Sequence, residues 1–300
     1  MKHVAILAVG LALSSCNLVP QRTLTACADP NNLPFSNRAG QGFENRLASM
    51  IASDLDAKLD YVWWAQRRGY VRNTLNEAKC DFWPGIASNV EMVATTRPYY
   101  RSTYMFVSRH DANLKGLTLD DPRLKRLKIG VQMVGNDASN TPPAHALAER
   151  GVIGNVRGYM IYGDYRRPNP PAAVVEAVER GDVDVALVWG PLAGFFAAKS
   201  PVPLRLEPVT PWFADQQWPM QFDVSVGVRK DDQKLLKAID RVLVRRKIDI
   251  GRLLAAYRVP VVPVPSARRP SSCGRPLPPC PSAEPTTSRR ADRVRPGSAP

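Results

Sequence analysis

Residues 183–190 read VDVALVWG, an almost unbroken apolar run closed by glycine. A strand without polar alternation is buried on both faces, the situation of a central strand in a parallel sheet. Working outward, PPAAVVEAVERG (170–181) before it has helical spacing, GYMIY (158–162) reads as a strand, 141–150 as a helix, and LKIGV (127–131) as another strand. Strands alternating with helices of this length build βαβ units.

The same rhythm occurs earlier. LTACA (24–28) is a strand, and Phe43, Leu47, Met50, Ile51 and Leu55 recur at helical spacing behind it. LDYVWW (59–64) is a second strand, RGYVRNTLNEAK (68–79) a second helix and CDFWPGIA (80–87) a third strand. Near the end, QFDVSVGV (221–228) alternates like a strand, and DQKLLKAIDRVLVRR and DIGRLLAAY supply two helices without further strands. Those helices need a sheet to lie on, and the first unit offers one. The chain would then cross between two α/β lobes twice, near 104–107 and 219–224, leaving a cleft at a two-segment hinge. The expected limits are 24–107 plus 220–262 for lobe 1 and 108–219 for lobe 2.

With 300 residues and 44% apolar content the chain can bury two such cores. Its first residues, MKHVAILAVGLALSS, join a basic start to an apolar run too short to span a bilayer, the pattern of an export signal over 1–16. Leu13-Ser14-Ser15-Cys16 has the form of a lipobox, which would make Cys16 a lipidated N-terminus; ordinary cleavage nearby, with Cys16 incidental, is the alternative. In an oxidising compartment Cys27 and Cys80 read as a disulfide rather than two buried thiols. Residues 266–300 are rich in Pro, Ser and Arg and poor in large apolar residues, a composition of disorder. Their seven arginines and two acids carry five of the net +14 charges, so the rest is only moderately basic. Export and that modest charge argue against a nucleic-acid partner.

CADPNNLPFSN (27–37), MVATTRPYYRSTYMFV (92–107), VGNDASNTPPAHALAERG (134–151) and YGDYRRPNPPAAVVEAVERGDVDVALVWGPLAG (162–194) carry a resemblance. From Leu24 to about Val262 the chain resembles class II periplasmic solute-binding proteins, and within them the MxaJ/XoxJ group encoded beside quinoprotein methanol and alcohol dehydrogenases. The tail is foreign to that family. The resemblance implies a periplasmic, non-catalytic accessory that binds a PQQ-dependent dehydrogenase during its maturation or activation. The PQQ and the metal would belong to the dehydrogenase, and no cofactor or metal is expected here.

In this fold the loop after the first strand reaches the cleft at the carboxyl end of the sheet. Asp29, Asn31 and Asn32 would line it and Phe35 would offer a stacking face; alternatively, Asp29-Pro30 and Leu33-Pro34 only shape a turn. Amino-acid-binding relatives carry an Arg shortly after the third strand to grip a carboxylate. Aligning on Pro98-Tyr99-Tyr100 puts Asn89 in that place, and Arg97 comes too late, so a free amino acid is not the expected ligand. Trp63 and Trp64 are candidate stacking faces, of which only one can face either side of the strand. Asn136 and Asp137, ahead of a helix capped by Asn140 or Thr141, are candidate polar contacts. Tyr162 and Asp164 belong to a polar aromatic loop suited to a protein partner. Trp189 closes the central strand toward the cleft.

No residues spell a catalytic site. His3 lies in the signal, His110 and His145 stand outside any metal-ligand spacing, and no serine elbow, phosphate loop or zinc signature occurs. An extracytoplasmic dehydratase on this fold therefore fits worse than the accessory. The alternative reading is a receptor delivering a small molecule, not a free amino acid, to an ABC permease.

Overall fold

The computed structural model describes residues 21–134, 140–161, 165–214 and 217–263. The expected signal, Cys16 and the tail at 266–300 lie outside them. The described residues belong to one compact unit, and among them no helix is long and apolar enough to cross a membrane.

In chain order, β1 (Thr23–Ala28) leads to a miniature hairpin of β2 (Asn31–Asn32) and β3 (Ser36–Asn37), then α1 (Phe43–Asp54) and β4 (Lys58–Trp63). The one-turn α2 (Tyr70–Asn73), β5 (Phe82–Ala87), the short β6 (Ala94–Thr95) and the long β7 (Tyr100–Arg109) follow. Next come β8 (Ile129–Met133), α3 (Pro142–Glu149), β9 (Val156–Met160), α4 (Ala173–Arg180), β10 (Val185–Trp189), α5 (Gly190–Ala197) and β11 (Leu204–Pro208). The hairpin of β12 (Phe213–Ala214) and β13 (Trp218–Pro219) then enters β14 (Gln221–Val228), and α6 (Gln233–Arg245) and α7 (Lys247–Ala256) close the fold.

The main sheet runs β4-β1-β5-β14-β7-β10-β8-β9. It is parallel at both ends, where β1 pairs β4 and β5 and where β8 pairs β9 and β10. It is antiparallel in the middle, through β14 and β7. β7 changes partners along its length: Tyr100–Thr103 pair with β14, and Tyr104–Arg109 with β10 and β11. The carboxyl ends of β1 and β5 and those of β8 and β10 thus belong to two α/β units joined through one sheet.

Each unit has its core. α1 buries Phe43, Leu47 and Ile51 against Leu24, Phe82 and Val226, and α6 and α7 add Ile239, Val242, Ile250 and Leu254 to the same cluster. The terminal helices therefore lie on the first unit's sheet, as their apolar stripes without strands required. At roughly 1.5–3 kcal/mol for each large side chain, this cluster is a main source of stability. In the second unit α4 and α5 bury Val174, Val178, Leu192 and Phe196 with Val107, Ala186 and Val188.

One expectation needs correction. The helix read over 68–79 is a single turn at 70–73, because Asn73, Thr74 and Asn76 are weak helix formers and the Thr74 hydroxyl turns back to Tyr70 O at 2.7 Å. The chain then bends through Ala78, at φ 52°, and delivers Cys80 to Cys27. Those cysteines form the expected disulfide, with Cα atoms 5.5 Å apart, inside a small cluster with Tyr70, Val71 and Leu75. The residues after α7 add a further tie beside the two strand crossings. Pro260 O accepts from Ser102 Oγ at 2.6 Å, Val262 N donates to Arg101 O, and Arg258 O lies 1.9 Å from where a Cβ on Gly194 of α5 would sit. Only glycine permits that approach.

Candidate functional site

The strand ends converge on a cavity of about 320 Å³. Its wall includes Asn32 and Phe35 from the loop after β1, Gly85–Ala87 from β5, Gln132 from β8, Trp189 from β10, and Phe222 and Val224 from β14. Tyr100 and Tyr104 of β7 and Glu44 of α1 complete most of it. Ligands in open α/β sheets sit at such carboxyl ends.

The loop from Asp29 to Asn37 divides its labour. Asp29 is buried, and its carboxylate accepts from Asn31 N at 2.8 Å, Gln66 N at 2.7 Å and Tyr165 Oη at 2.9 Å. Burial raises its pKa, the two backbone N–H groups and the Tyr165 hydroxyl acting against it. Asp29 thus organises the loop, and it is Asn32 and Phe35 that face the cavity. Asn32 Nδ2 donates to Gln66 Oε1 at 2.7 Å. Asn31 reaches the second unit: its Nδ2 donates to Arg167 O at 2.8 Å and its Oδ1 accepts from Asn169 N at 3.2 Å.

Trp189 lines the cavity, edge-on to Tyr104 and Phe222. Trp63 and Trp64 lie elsewhere. Trp63 stacks on Tyr61 with Arg38 above it, and Trp64 packs beside the disulfide cluster under Lys79. As successive residues they leave the sheet on opposite sides, and neither side is the cavity wall. Asn89 sits in the turn after β5 at φ 62°, its N–H donating to Thr95 Oγ1. Arg97 is spent on Asp240 of α6, 2.7 Å away. Asn136, Asp137, Tyr162 and Asp164 lie outside the described residues. Thr141 is the N-cap of α3, yet its hydroxyl donates to Gln132 O at 2.6 Å rather than to the helix.

Sequence reading did not pick Glu44 or Gln132. Glu44, in the first turn of α1, is 4% exposed, and burial, reinforced by nearby Asp29, pushes its carboxyl up to about 8. Gln132 is 2% exposed and accepts Trp189 N at 2.7 Å through Oε1. A signal existed for Glu44 alone: it stands on the apolar side of α1, between Phe43 and Leu47, where a solvated acid is out of place. Among the described residues no three His, Cys, Asp or Glu side chains gather as a metal cage would require.

Comparison with known proteins agrees with this architecture. Residues 24–257 match the family described as bacterial extracellular solute-binding proteins, family 3. Protein MoxJ of Methylorubrum extorquens is 33% identical over 253 residues, covering 81% of this chain and 82% of MoxJ. Protein MoxJ of Paracoccus denitrificans is 30% identical over 274 residues, covering 85% and 95%. Among solved structures, MxaJ from Methlophaga aminisulfidivorans MPT superposes with a TM-score of 0.68 at 27% identity, over 80% of this chain and all of MxaJ. The periplasmic binding protein XoxJ from Methylobacterium extorquens AM1 gives 0.65 at 37% identity, over 81% of this chain and all of XoxJ. The chain is a member of the family 3 extracellular solute-binding proteins, with the fold of a class II periplasmic binding protein and similarity to MoxJ, MxaJ and XoxJ.

Proposed function

We propose that this protein is a non-catalytic periplasmic accessory of methanol or alcohol oxidation, which binds a PQQ-dependent dehydrogenase while that enzyme matures or is activated. The observation that carries the reading is an exposed aromatic pair, Trp212 at 50% and Phe213 at 65%, on the hairpin entering β14. Solvent-facing aromatics grouped at one turn are what a protein interface buries. The hairpin is anchored from behind, Trp218 stacking on His145 at 4.0 Å and its indole N–H donating to Glu149. A partner would thus meet a fixed surface tied to the strand that carries Phe222 of the cavity wall, Met220 N donating to Trp212 O at 2.8 Å. Similarity to MoxJ, MxaJ and XoxJ supports the same reading. We take 24–107 plus 220–262 as one lobe and 108–219 as the other, with the cleft rim as the docking groove.

Calorimetric titration of the protein with the dehydrogenase, prepared with and without its cofactors, tests this. Saturable binding is expected, strongest to the cofactor-free form and weakened about tenfold or more by the double change Trp212→Ser and Phe213→Ser. Absence of binding to both forms would sink the proposal.

The second reading, a transport receptor for a small solute, is favoured by the cavity itself and by the Asn31 contacts that join the units beside it. It requires closure and a raised melting temperature with one small molecule and no response to the dehydrogenase.

A further inference from the structure

Gln132 is built to present a donor. The Trp189 backbone N–H fixes which end of its amide is oxygen, and Thr141 Oγ1 holds its own carbonyl, so both strand and side chain are clamped. The other end, Nε2, is buried on the cavity wall and finds no acceptor among the described residues. Buried amide donors are almost always paired, and one held unpaired by two other hydrogen bonds marks a place where a ligand supplies the acceptor. Around it the wall is mostly apolar and aromatic, with Phe35, Tyr104, Trp189, Leu192 and Phe222.

Glu44 is the carboxyl on the same wall. Its burial favours the protonated form around neutral pH, in which it is a donor without charge. A carboxylate ligand would leave water for a mostly apolar wall on which no described residue is a cation that could pair with it, and an ammonium ligand would give Gln132 nothing to bind.

We propose that the cavity binds an uncharged organic molecule with a flat apolar body and a carbonyl-type oxygen, the oxygen being taken by Gln132 Nε2. This goes beyond the docking reading and stands whether or not a dehydrogenase binds elsewhere on the surface.

The test uses the full chain at neutral pH and three probes of one shape: benzamide, benzoate and benzylammonium. Titration followed by NMR is expected to give benzamide an affinity about tenfold or more above both ions, with the Gln132 side-chain amide resonance shifting as it binds. Gln132→Leu should weaken benzamide about tenfold. The proposal is overturned if either ion binds as well as benzamide, if none of the three binds, or if the Gln132 amide resonance of the wild-type chain does not move. That last readout needs no variant, so a poorly folded Gln132→Leu leaves the decision intact.

Discussion

Gly85 and Glu44 share one space: a Cβ on Gly85 would lie 1.9 Å from Glu44 Oε1 and 2.7 Å from its Cδ. A glycine in the middle of a strand is ordinarily a cost, and here it makes room for a buried acid at the cavity. Gly85→Ala must displace the end of the Glu44 side chain, which can swing toward the cavity it lines, so the cost is expected at about 1 kcal/mol in denaturant unfolding. In a Glu44→Ala background the same change should be nearly neutral. An equal cost in both backgrounds would show that the glycine serves something other than Glu44.

Glu44 also makes stability depend on pH. Its folded pKa of about 8 lies above the ordinary 4.5, so between those values the folded chain binds the proton that the unfolded chain has released. This contribution is complete below pH 4.5 and is lost as pH rises through about 8. The groups facing Glu44 electrostatically are Asp29, Tyr70, Tyr99 and Tyr100. The tyrosines are themselves raised by burial and stay neutral in this window, and burial raises Asp29 in both proteins alike. Stability of the wild type relative to Glu44→Gln is expected to fall by up to about 5 kcal/mol from pH 4.5 to 8, read from urea midpoints. Parallel curves for the two proteins would mean that Glu44 titrates normally.

The fold was legible because its strongest signals are local. VDVALVWG is β10, the stripe from Phe43 to Ile51 is α1, and 233–256 is two helices lying on the first unit. β7 and α5 were not legible. The polar start of β7, Arg101-Ser102-Thr103, is buried or half-buried only because β14 and the segment at Pro260 pair with it. α5 follows a tryptophan and a Gly-Pro pair that read as a strand's end, and its two glycines are explained only by distant residues, Ser102 and Thr103 lying against Gly190 and Arg258 against Gly194. At the site, turn chemistry and cleft contact look alike in sequence. Asp29 satisfies backbone N–H groups, Asn31 reaches Arg167 and Asn169, and Asn32 faces the cavity, yet all three are small polar residues of one loop. Gln132 carried no signal at all, because its importance comes from Trp189, far away in the chain.

The Cys27–Cys80 bridge spans 53 residues and is buried at both ends, with exposures of 0% and 1%. Closing a loop of that length removes enough freedom from the unfolded chain to stabilise the fold by about 4 kcal/mol on the chain-entropy account. Replacing both cysteines by alanine is expected to cost roughly that amount in urea unfolding. Because the sulfurs are shielded, mild reductant should leave the native protein oxidised until it unfolds. Rapid thiol release from the native state, trapped by alkylation, would contradict that shielding.

Asn31 is the clasp between the loop after β1 and the approach to α4. Its amide donates to Arg167 O and accepts from Asn169 N, and Asp29 beside it accepts from the Tyr165 hydroxyl. Asn169 is held at φ 48°, a left-handed backbone that asparagine tolerates. Asn31→Ala removes both of its contacts at once, at a net cost of about 1–3 kcal/mol. The loss should fall locally: hydrogen exchange at the Asn169 amide is expected to accelerate, while strand β10, with its exposures of 0% from Val185 to Val188, keeps its protection. Asn31→Asp separates the two contacts, since it keeps the acceptor for Asn169 N and loses the donor to Arg167, so exchange at Asn169 should stay close to wild type. If Asn31→Ala leaves that amide as protected as before, the segment is held by its own turn, and the clasp has no part in keeping the two units together.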